Sequence, residues 1–303
     1  MNKQSIIKKI LHLKKIRNAV ILAHNYQTEE VQDIADFVGD SLGLSQKAAA
    51  AEAAVILFCG VHFMAETAAM LSPDKIVLLP DPRAGCPMAD MITAAALRHE
   101  KEKYPGVQVV CYVNSTAEVK AESDLCCTSS NAIKVVQSLE SHRPILFVPD
   151  QYLGSYSASK TNRDLILWPG YCPVHMHISV DDIKNAKSRH HHAAVLVHPE
   201  CRPEVIALAD HALSTDGILR HARESGVKEF IVGTETGILH RLKKENPEKV
   251  FIPASQAAVC VDMKLVTLEK ILWSLETMEH RVIVPEAIRK RAVNAVARMI
   301  EII

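Results

Sequence analysis

The chain has 303 residues, enough for two or three domains, and 48% of them are hydrophobic, as in an ordinary globular protein. Lysine and arginine together number 35, as do aspartate and glutamate, so no excess of basic residues predicts a nucleic-acid or membrane-surface partner. Lysines interrupt the first residues before an export signal can form, and no apolar run reaches the length of a membrane span. We therefore expect a cytoplasmic protein that acts on small molecules.

The first predicted strand, residues 19–26, is a short apolar run that stops at polar side chains. Similar strands recur at residues 109–114 and 194–200. The polar residues at the three strand ends are His24 and Tyr26, then Tyr112 and Asn114, then His198 and Glu200. This recurrence indicates an internal repeat with a period close to 87 residues.

After each of these strands, an aspartate is followed five positions later by a hydroxyl residue, which we interpret as the start of a helix. The pairs are Asp36 with Ser41, Asp124 with Ser129, and Asp210 with Thr215. The aspartates lie 88 and 86 residues apart, so this feature keeps the register of the strands.

Two further strands follow in every copy of the repeat. The second is predicted at residues 55–58, 145–148 and 230–233, and the third at residues 76–80, 165–169 and 250–253. A cysteine comes shortly after the proline that ends each third strand. The repeat therefore contains its own cysteine, at Cys86, Cys172 and Cys260.

Strands that alternate with helical segments predict an α/β fold of right-handed βαβ units. We expect three homologous three-layer αβα units around a pseudo-threefold axis, each with a small, three-stranded parallel sheet. The predicted units are residues 1–86, 87–172 and 173–278, with residues 279–303 packing back on the first unit.

Several helix ends and faces can be predicted near the C-terminus. Ser179 precedes two aspartates as a cap, and an apolar stripe with i, i+3, i+4 and i+7 spacing follows Thr267. A strand at residues 282–284 should lead into a helix with Pro285 at its first position. The apolar face of that helix is predicted to contain Ile288, Ala292, Ala295, Met299 and Ile303.

Ligands of parallel sheets gather at the carboxyl ends of the strands. A threefold arrangement would direct the six strand-end side chains toward one cavity, where they supply acids, bases and hydrogen-bond donors. Ser41, Ser129 and Thr215 would lie just before helices, whose free N–H groups favour bound anions. These nine positions therefore predict a site for a substrate with several carboxylates or a phosphate, although hydroxyl residues are also common as plain helix caps.

Cys86, Cys172 and Cys260 are each without a second cysteine at CxxC spacing. Structural zinc sites usually draw their ligands in close pairs, so three isolated thiols argue against a zinc ribbon and for a cluster at the junction of the units. A [4Fe-4S] cluster with three thiolate ligands keeps one iron open, which could act as a Lewis acid. The other five cysteines are interpreted as small buried residues.

Dispersed motifs along nearly the whole chain resemble the quinolinate synthase family. They are residues 22–27, residues 33–41, residues 112–116, Cys172-Pro173-Val174-His175, residues 197–201, Gly233-Thr234-Glu235 and Cys260. The C-terminal CxxCxxC of some relatives is absent, so the chain is similar to the short form. Asp262 stands where relatives often have asparagine, and the role of His175, beside the cluster or on the substrate, stays open.

The resemblance implies an enzyme of NAD biosynthesis, a transferase that condenses iminoaspartate with dihydroxyacetone phosphate and releases phosphate and water. It implies a [4Fe-4S] cluster on the three cysteines and possible transient contact with the enzyme that supplies iminoaspartate. The catalytic residues it implies are Tyr26, Tyr112, His198 and Glu200. The substrate-binding residues it implies are His24, Ser41, Tyr112, Val113, Asn114, Ser129, His198, Pro199, Glu200 and Thr215.

Two rival functions fit the residues without the resemblance. A cluster-dependent hydro-lyase would also use an open iron, on a hydroxy acid, and the three anion sites do not exclude a tricarboxylate. A metal-stabilised binding or redox-sensing module would need the metal only to close the three units around it.

Overall fold

The computed structural model describes residues 1–302, and Ile303, which was predicted on the face of the last helix, lies outside them. The described chain contains three separate four-stranded sheets, all parallel. The first sheet contains β1 (Ala19–His24), β2 (Phe37–Gly39), β3 (Val55–Cys59) and β4 (Ile76–Leu78). The second contains β5 (Gln108–Tyr112), β6 (Leu125–Cys127), β7 (Ile145–Val148) and β8 (Leu165–Leu167). The third contains β9 (Ala194–Val197), β10 (His211–Ala212), β11 (Glu229–Gly233) and β12 (Val250–Pro253).

The strand order is the same in all three sheets: β2-β1-β3-β4, β6-β5-β7-β8 and β10-β9-β11-β12. The nine predicted strands are all present, and the three αβα units are confirmed. β3, β5 and β7 are buried along their whole length, as expected for parallel strands covered by helices on both faces.

The prediction of three-stranded sheets was wrong, because each sheet has a short fourth strand directly after Asp36, Asp124 or Asp210. Asp36 donates its N–H to the Ile21 carbonyl over 2.9 Å and accepts the Ile21 N–H on its carboxylate over 2.8 Å. Asp124 and Asp210 hold Val109 and Val195 in the same way. The aspartates therefore attach an edge strand to the central one, a role beyond the helix start that the sequence suggested.

The helices cover the sheets and connect their strands. In the first third of the chain they are α1 (Lys3–Ile16), α2 (Glu29–Ile34), α3 (Ser41–Ala50), α4 (His62–Leu71) and α5 (Ala94–Glu102). The middle third contains α6 (Ala117–Ala121), α7 (Ala132–Ser138), α8 (Gln151–Thr161), α9 (Pro173–His177) and α10 (Val180–Arg189). The last third contains α11 (Pro203–Ile206), α12 (Thr215–Glu224), α13 (Ile238–Glu245), α14 (Leu268–Thr277) and α15 (Glu286–Glu301). Short 3-10 helices cover Ala89–Met91 and Met263–Leu265.

Helix caps explain where several of these helices begin. Ser179 forms a capping box with Asp182, which confirms the predicted start of α10. Thr267 caps α14 through the Lys270 N–H, and the predicted apolar stripe of α14 is buried. None of the helices in the described chain combines the length and apolar character that a bilayer crossing requires.

The C-terminal segment differs from its prediction. The expected strand at residues 282–284 is absent from the described structure, and a single antiparallel bridge joins Leu78 to Arg281 instead. Pro285 takes the cap position of α15 rather than its first helical position. α15 packs against α3 and α4 of the first unit and against α6 and β6 of the second.

The predicted boundaries of the units stay a prediction. α14, which follows Cys260 in the chain, packs against α1 at the opposite end of the sequence. Ile271 and Leu275 of α14 share a buried cluster with Ile10 of α1 and Leu57 of β3. The chain is therefore closed on itself, and the last helix before the C-terminal segment completes the core of the first sheet.

Candidate functional site

One cavity of about 250 Å³ is lined by residues from all three units. Its wall includes all nine predicted strand-end and helix-start side chains and all three predicted cluster cysteines. Val113 and Pro199, which the resemblance added, are buried but do not line it. The structure thus places twelve of the predicted side chains around one space, at the carboxyl ends of the strands.

The end of β1 delivers His24 and Tyr26 to this cavity. The Tyr26 N–H donates to His24 Nδ1 over 3.1 Å, so the neutral imidazole carries its proton on Nε2. The Tyr26 hydroxyl lies 2.6 Å from Thr234 Oγ1 and 3.3 Å from Thr215 Oγ1, both in the third unit. The first strand is therefore joined to the third unit through its own functional side chains.

The end of β9 repeats this arrangement with different residues. The Glu200 N–H donates to His198 Nδ1 over 3.3 Å, which again leaves the proton on Nε2. His198 Nε2 lies 3.1 Å from the Ser129 hydroxyl of the second unit and can donate to it. The His198 ring also stacks on His175 with centroids 4.6 Å apart.

The Glu200 carboxylate lines the cavity and is almost completely enclosed, with a residue exposure of 2%. The Tyr112 hydroxyl donates to its Oε1 in a short hydrogen bond. His175 Nδ1 lies 2.7 Å from its Oε2, but the two atoms are not aligned as a hydrogen bond. His175 Nε2 lies 2.8 Å from Thr234 Oγ1. Polar contacts therefore run from Tyr26 through Thr234 and His175 to Glu200 and on to Tyr112.

Burial and neighbouring charges determine the protonation of these groups. Burial lowers the pKa of both His24 and His198 to about 3, so both are neutral near pH 7. Burial, together with the Glu200 charge, raises the pKa of Tyr26 and Tyr112 well above 10. Burial opposes the ionisation of Glu200, but His175, His198 and the Tyr112 hydrogen bond outweigh it and lower its pKa. The Glu200 carboxylate is therefore ionised at neutral pH, while the Tyr26 and Tyr112 hydroxyls beside it keep their protons.

Two of the three predicted anion-binding hydroxyls, Ser41 and Thr215, lie at helix N-termini, whereas Ser129 lies in a turn three residues before α7. Ser41 and Thr215 are the first residues of α3 and α12, and the caps are their neighbours Asp40 and Ser214. Ser41 and Thr215 were expected just before these helices, so their positions differ by one residue. Because the preceding residues do the capping, the Ser41 and Thr215 hydroxyls are not needed for it.

A hydrogen-bonded chain joins these helix starts. The Ser130 hydroxyl lies 2.5 Å from Asp40 Oδ2 and 2.9 Å from Ser214 Oγ. A hydroxyl has one proton to donate, and a carboxylate only accepts, so Ser130 donates to Asp40 and Ser214 donates to Ser130. This order connects one residue of each unit beside the predicted anion sites.

Cys86, Cys172 and Cys260 are partly exposed at the cavity wall, whereas the other five cysteines are fully buried in the sheets and turns. Burial raises the pKa of Cys86 to about 12, that of Cys260 to about 11, and that of Cys172 well above 9. Cys260 and Cys86 are close enough for one to affect the pKa of the other, as are Cys86 and Cys172. Such thiols ionise readily only beside a cation.

The donor set fits a metal centre. One ligand atom each from Cys172, His175 and Glu200 lies within 4.8 Å of the other two. His175 Nδ1 and Glu200 Oε2 are both buried and lie 2.7 Å apart beside this thiol. Imidazole nitrogen, carboxylate oxygen and thiolate sulfur are the ligand types that transition metals bind in proteins.

The sequence analysis gave no site role to Thr234, Glu235 and Lys264, and it left the role of His175 open. Thr234 and Glu235 directly follow β11, so the rule that selected the other strand ends could have found them. Lys264 lies in the 3-10 helix after Cys260 and pairs with Glu235 over 2.8 Å. The repeat does not predict this pair, because the other two units have no equivalent of it.

Comparisons with known proteins all match quinolinate synthases. A family model described as NadA, Quinolinate synthetase A protein, matches residues 8–301. The chain is 61% identical to a quinolinate synthase of Dehalococcoides mccartyi over 303 residues, which cover 100% of both proteins. It is 54% identical to quinolinate synthases of Methanosarcina barkeri, with 100% of this chain and 99% of that protein covered, and of Thermodesulfovibrio yellowstonii, with 98% of each covered.

Proposed function

The chain belongs to the quinolinate synthase family and is an enzyme of that kind, and we propose that it condenses iminoaspartate with dihydroxyacetone phosphate to give quinolinate, releasing phosphate and water. Quinolinate synthases work in NAD biosynthesis, so this chain belongs to that pathway. The observation that best supports the proposed chemistry is the buried Tyr112–Glu200–His175 group next to the Cys172 thiol in a cavity lined by all three repeats.

Both proposed substrates are anions, and the cavity offers places for their charges. Ser41 and Thr215 present hydroxyls and free N–H groups at the N-termini of α3 and α12. Ser129 and Asn114 add polar groups from the second unit. We propose that these residues hold the phosphate of one substrate and the carboxylates of the other.

The acid and base roles follow from the protonation of the cavity side chains. Glu200 is ionised and can accept a proton, while Tyr26 and Tyr112 keep theirs at neutral pH and can donate hydrogen bonds. His24 and His198 are neutral donors through Nε2. We propose that Glu200 takes and returns protons during enolisation and dehydration, and that the two tyrosines stabilise developing negative charge on oxygen.

Cys86, Cys172 and Cys260 are proposed to hold a [4Fe-4S] cluster, whose open iron supplies a Lewis acid for the dehydration. The three thiols must lose their protons to act as ligands, which a cation at this wall would favour. We also propose that the enzyme works in the cytoplasm, where its eight free cysteines stay reduced, and receives iminoaspartate by transient contact with the enzyme that makes it.

The test is an anaerobic reconstitution followed by iron and sulfide analysis and an assay for quinolinate from the two proposed substrates. We expect about four irons per chain and quinolinate formation. Replacing Cys86, Cys172 or Cys260 by alanine should abolish both. The matched control is Cys59→Ala, since Cys59 is buried in the first sheet away from the cavity.

A bound cluster without quinolinate formation would contradict the proposed reaction and favour the hydro-lyase. Full iron content in all three cysteine variants would contradict the proposed ligands.

A further inference from the structure

An ion pair between Glu235, which lines the cavity, and the partly exposed Lys264 lies beside Cys260. Glu235, at the turn between β11 and α13, has 0% exposure. Its Oε1 accepts from Lys264 Nζ over 2.8 Å and from the Cys260 N–H over 3.1 Å, and its Oε2 accepts the Gly237 N–H over 2.7 Å. The carboxylate is therefore directly bonded to the backbone of a proposed cluster ligand.

Lys264 connects the same pair to the first unit. Its Nζ donates to the main-chain carbonyl of Tyr26 as well as to Glu235. The carbonyls on either side of Tyr26 in this turn are also hydrogen-bonded. Gln32 Nε2 donates to the carbonyls of Asn25 and Gln27 over 3.0 and 2.9 Å. Three successive carbonyls of this turn thus have side-chain donors, and Lys264 supplies the middle one.

The backbone around the pair is shaped to let these groups meet. A Cβ atom at Gly237 would lie 2.8 Å from Lys264 Nζ and 2.9 Å from the carbonyl carbon of Tyr26. Both atoms are closer than a real Cβ can approach, so only glycine admits the contact. The Gly237 carbonyl also lies 2.9 Å from Gln32 Nε2, so the two amide protons of Gln32 are shared among three carbonyls.

The second unit offers a comparison, because Asp150 lies after β7 as Glu235 lies after β11. Its Oδ1 caps α8 by accepting the Leu153 N–H over 2.6 Å, while Oδ2 is buried without a hydrogen-bond partner. The Cys172 backbone is close enough to lower the pKa of the Asp150 carboxyl, although burial raises that pKa overall. The third unit differs in that its carboxylate is paired with a cation that reaches into another unit.

We propose that Glu235 and Lys264 are positioning residues that fix the Cys260 turn and the Tyr26 turn relative to each other. The inference rests on the proposed function, since it takes Cys260 as a cluster ligand and Tyr26 as a residue near the reacting atoms. Removing Lys264 alone leaves the fully buried Glu235 charge uncompensated, whereas removing both partners avoids this. Misplacing a catalytic group by about 1 Å can cost about 100-fold in rate.

The test compares the reconstituted wild type with Lys264→Met, Glu235→Gln and the double variant. We expect each single variant to lose iron to a chelator faster and to lower kcat about 10- to 100-fold with little change in KM. The electron paramagnetic resonance signal of the reduced cluster should change as well. The double variant should regain the thermal stability of the metal-free protein but neither kcat nor the wild-type signal.

The matched control is Lys244→Met. Lys244 pairs with Asp33 over 2.6 Å and also joins the third unit to the first, but on the surface. Because exposed pairs contribute little, this variant should behave as wild type in every measurement. A double variant that recovers kcat and the spectroscopic signal together with stability would show a merely structural role and overturn the proposal.

A second measurement uses the metal-free full-length protein and does not depend on the reaction. Alkylation of Cys260 by iodoacetamide should become several-fold faster in Lys264→Met and Glu235→Gln, with Cys172 in the same sample as the internal reference. An unchanged ratio of the two rates would overturn the proposal. If the ratio rises but the wild type forms no quinolinate, the proposed function fails and the positioning role stands.

Discussion

The ends of β1 and β9 have the same local structure but offer different chemistry. In both, a histidine accepts the N–H of the residue two positions later on Nδ1, over 3.1 Å at His24 and 3.3 Å at His198. Both imidazoles are neutral, with a pKa of about 3. The residue that donates the N–H is a neutral tyrosine after β1 and an ionised glutamate after β9.

This difference shows how a repeated unit can become asymmetric without changing its backbone. The bond to Nδ1 fixes the histidine as a donor through Nε2 in both places. The side chain two positions after the histidine, Tyr26 or Glu200, then decides whether that edge of the cavity carries a charge. The negative charge near Cys172 is therefore supplied by Glu200 in the third unit, and the first unit supplies a hydroxyl.

The largest test of this comparison is the removal of the charge after β9. Glu200→Gln should lower turnover by about 10²- to 10⁴-fold, because a glutamine cannot accept a proton as a general base. Quinolinate formation and iron content are measured together, and iron should stay bound. Glu204→Gln is the control, since Glu204 is exposed and forms an ion pair with Arg202 on the surface. Wild-type turnover in Glu200→Gln would refute the asymmetry of roles.

A smaller effect on activity is expected when the Glu200 charge is kept but the Tyr112 hydroxyl that donates to it is removed. Tyr112→Phe deletes a hydrogen bond to an ionised group, which corresponds to about 1.5–3 kcal/mol or about a 10- to 100-fold fall in kcat/KM. Steady-state kinetics are the measurement. Tyr156→Phe is the control, because the Tyr156 hydroxyl donates only to the Ala212 carbonyl. Equal effects in the two variants would show that the contact with Glu200 has no special role.

The smallest effect concerns stability and tests what the two strand ends share. His24 and His198 stay neutral in the folded chain down to about pH 3, whereas in the unfolded chain each takes up a proton near pH 6.5. The unfolded state thus binds more protons below pH 6.5, so stability should fall as the pH decreases from 7 to 5. Asp216, whose pKa burial raises to about 6, acts in the opposite direction.

The measurement is the melting temperature of the metal-free protein at pH 7 and pH 5. The difference between the two values should be smaller in His24→Gln than in wild type. His191→Gln, in an exposed loop, serves as the control. An unchanged difference in His24→Gln would show that this histidine is not held neutral by the fold.

Much of the fold was predictable because the repeated strands are apolar runs bounded by turn residues, which determine strands locally. β2, β6 and β10 were missed because each directly follows an aspartate that was interpreted as the start of a helix. The predicted strand at residues 282–284 failed for a different reason. Its apolar run meets only the end of the three-residue β4, where a single bridge forms.

The candidate site was predictable where it follows from strand ends, and less so where it depends on contacts between units. His24, Tyr112 and His198 could be assigned to the cavity from their register alone. The pairing of Glu235 with Lys264 could not, because Lys264 has no counterpart in the repeat, although Glu235 follows β11 as Asp150 follows β7. Such a pair forms only where the tertiary structure brings distant backbone segments together, as it brings Gly237 next to Tyr26 and Lys264.

The amino-acid sequence by itself determined the repeated α/β unit, its strand ends and the cysteine that comes with each copy. The reason is that the signals for these features act over a few neighbouring positions. They are the alternation of strands with helical segments, the turn residues, and the hydroxyl or acidic residues at helix starts. Only the tertiary structure decided that Tyr112 meets Glu200, 88 residues further along the chain, and that Lys264 reaches the carbonyl of Tyr26. Such contacts depend on how three units bury their faces against one another, and burial is a property of the whole packed chain rather than of any local segment.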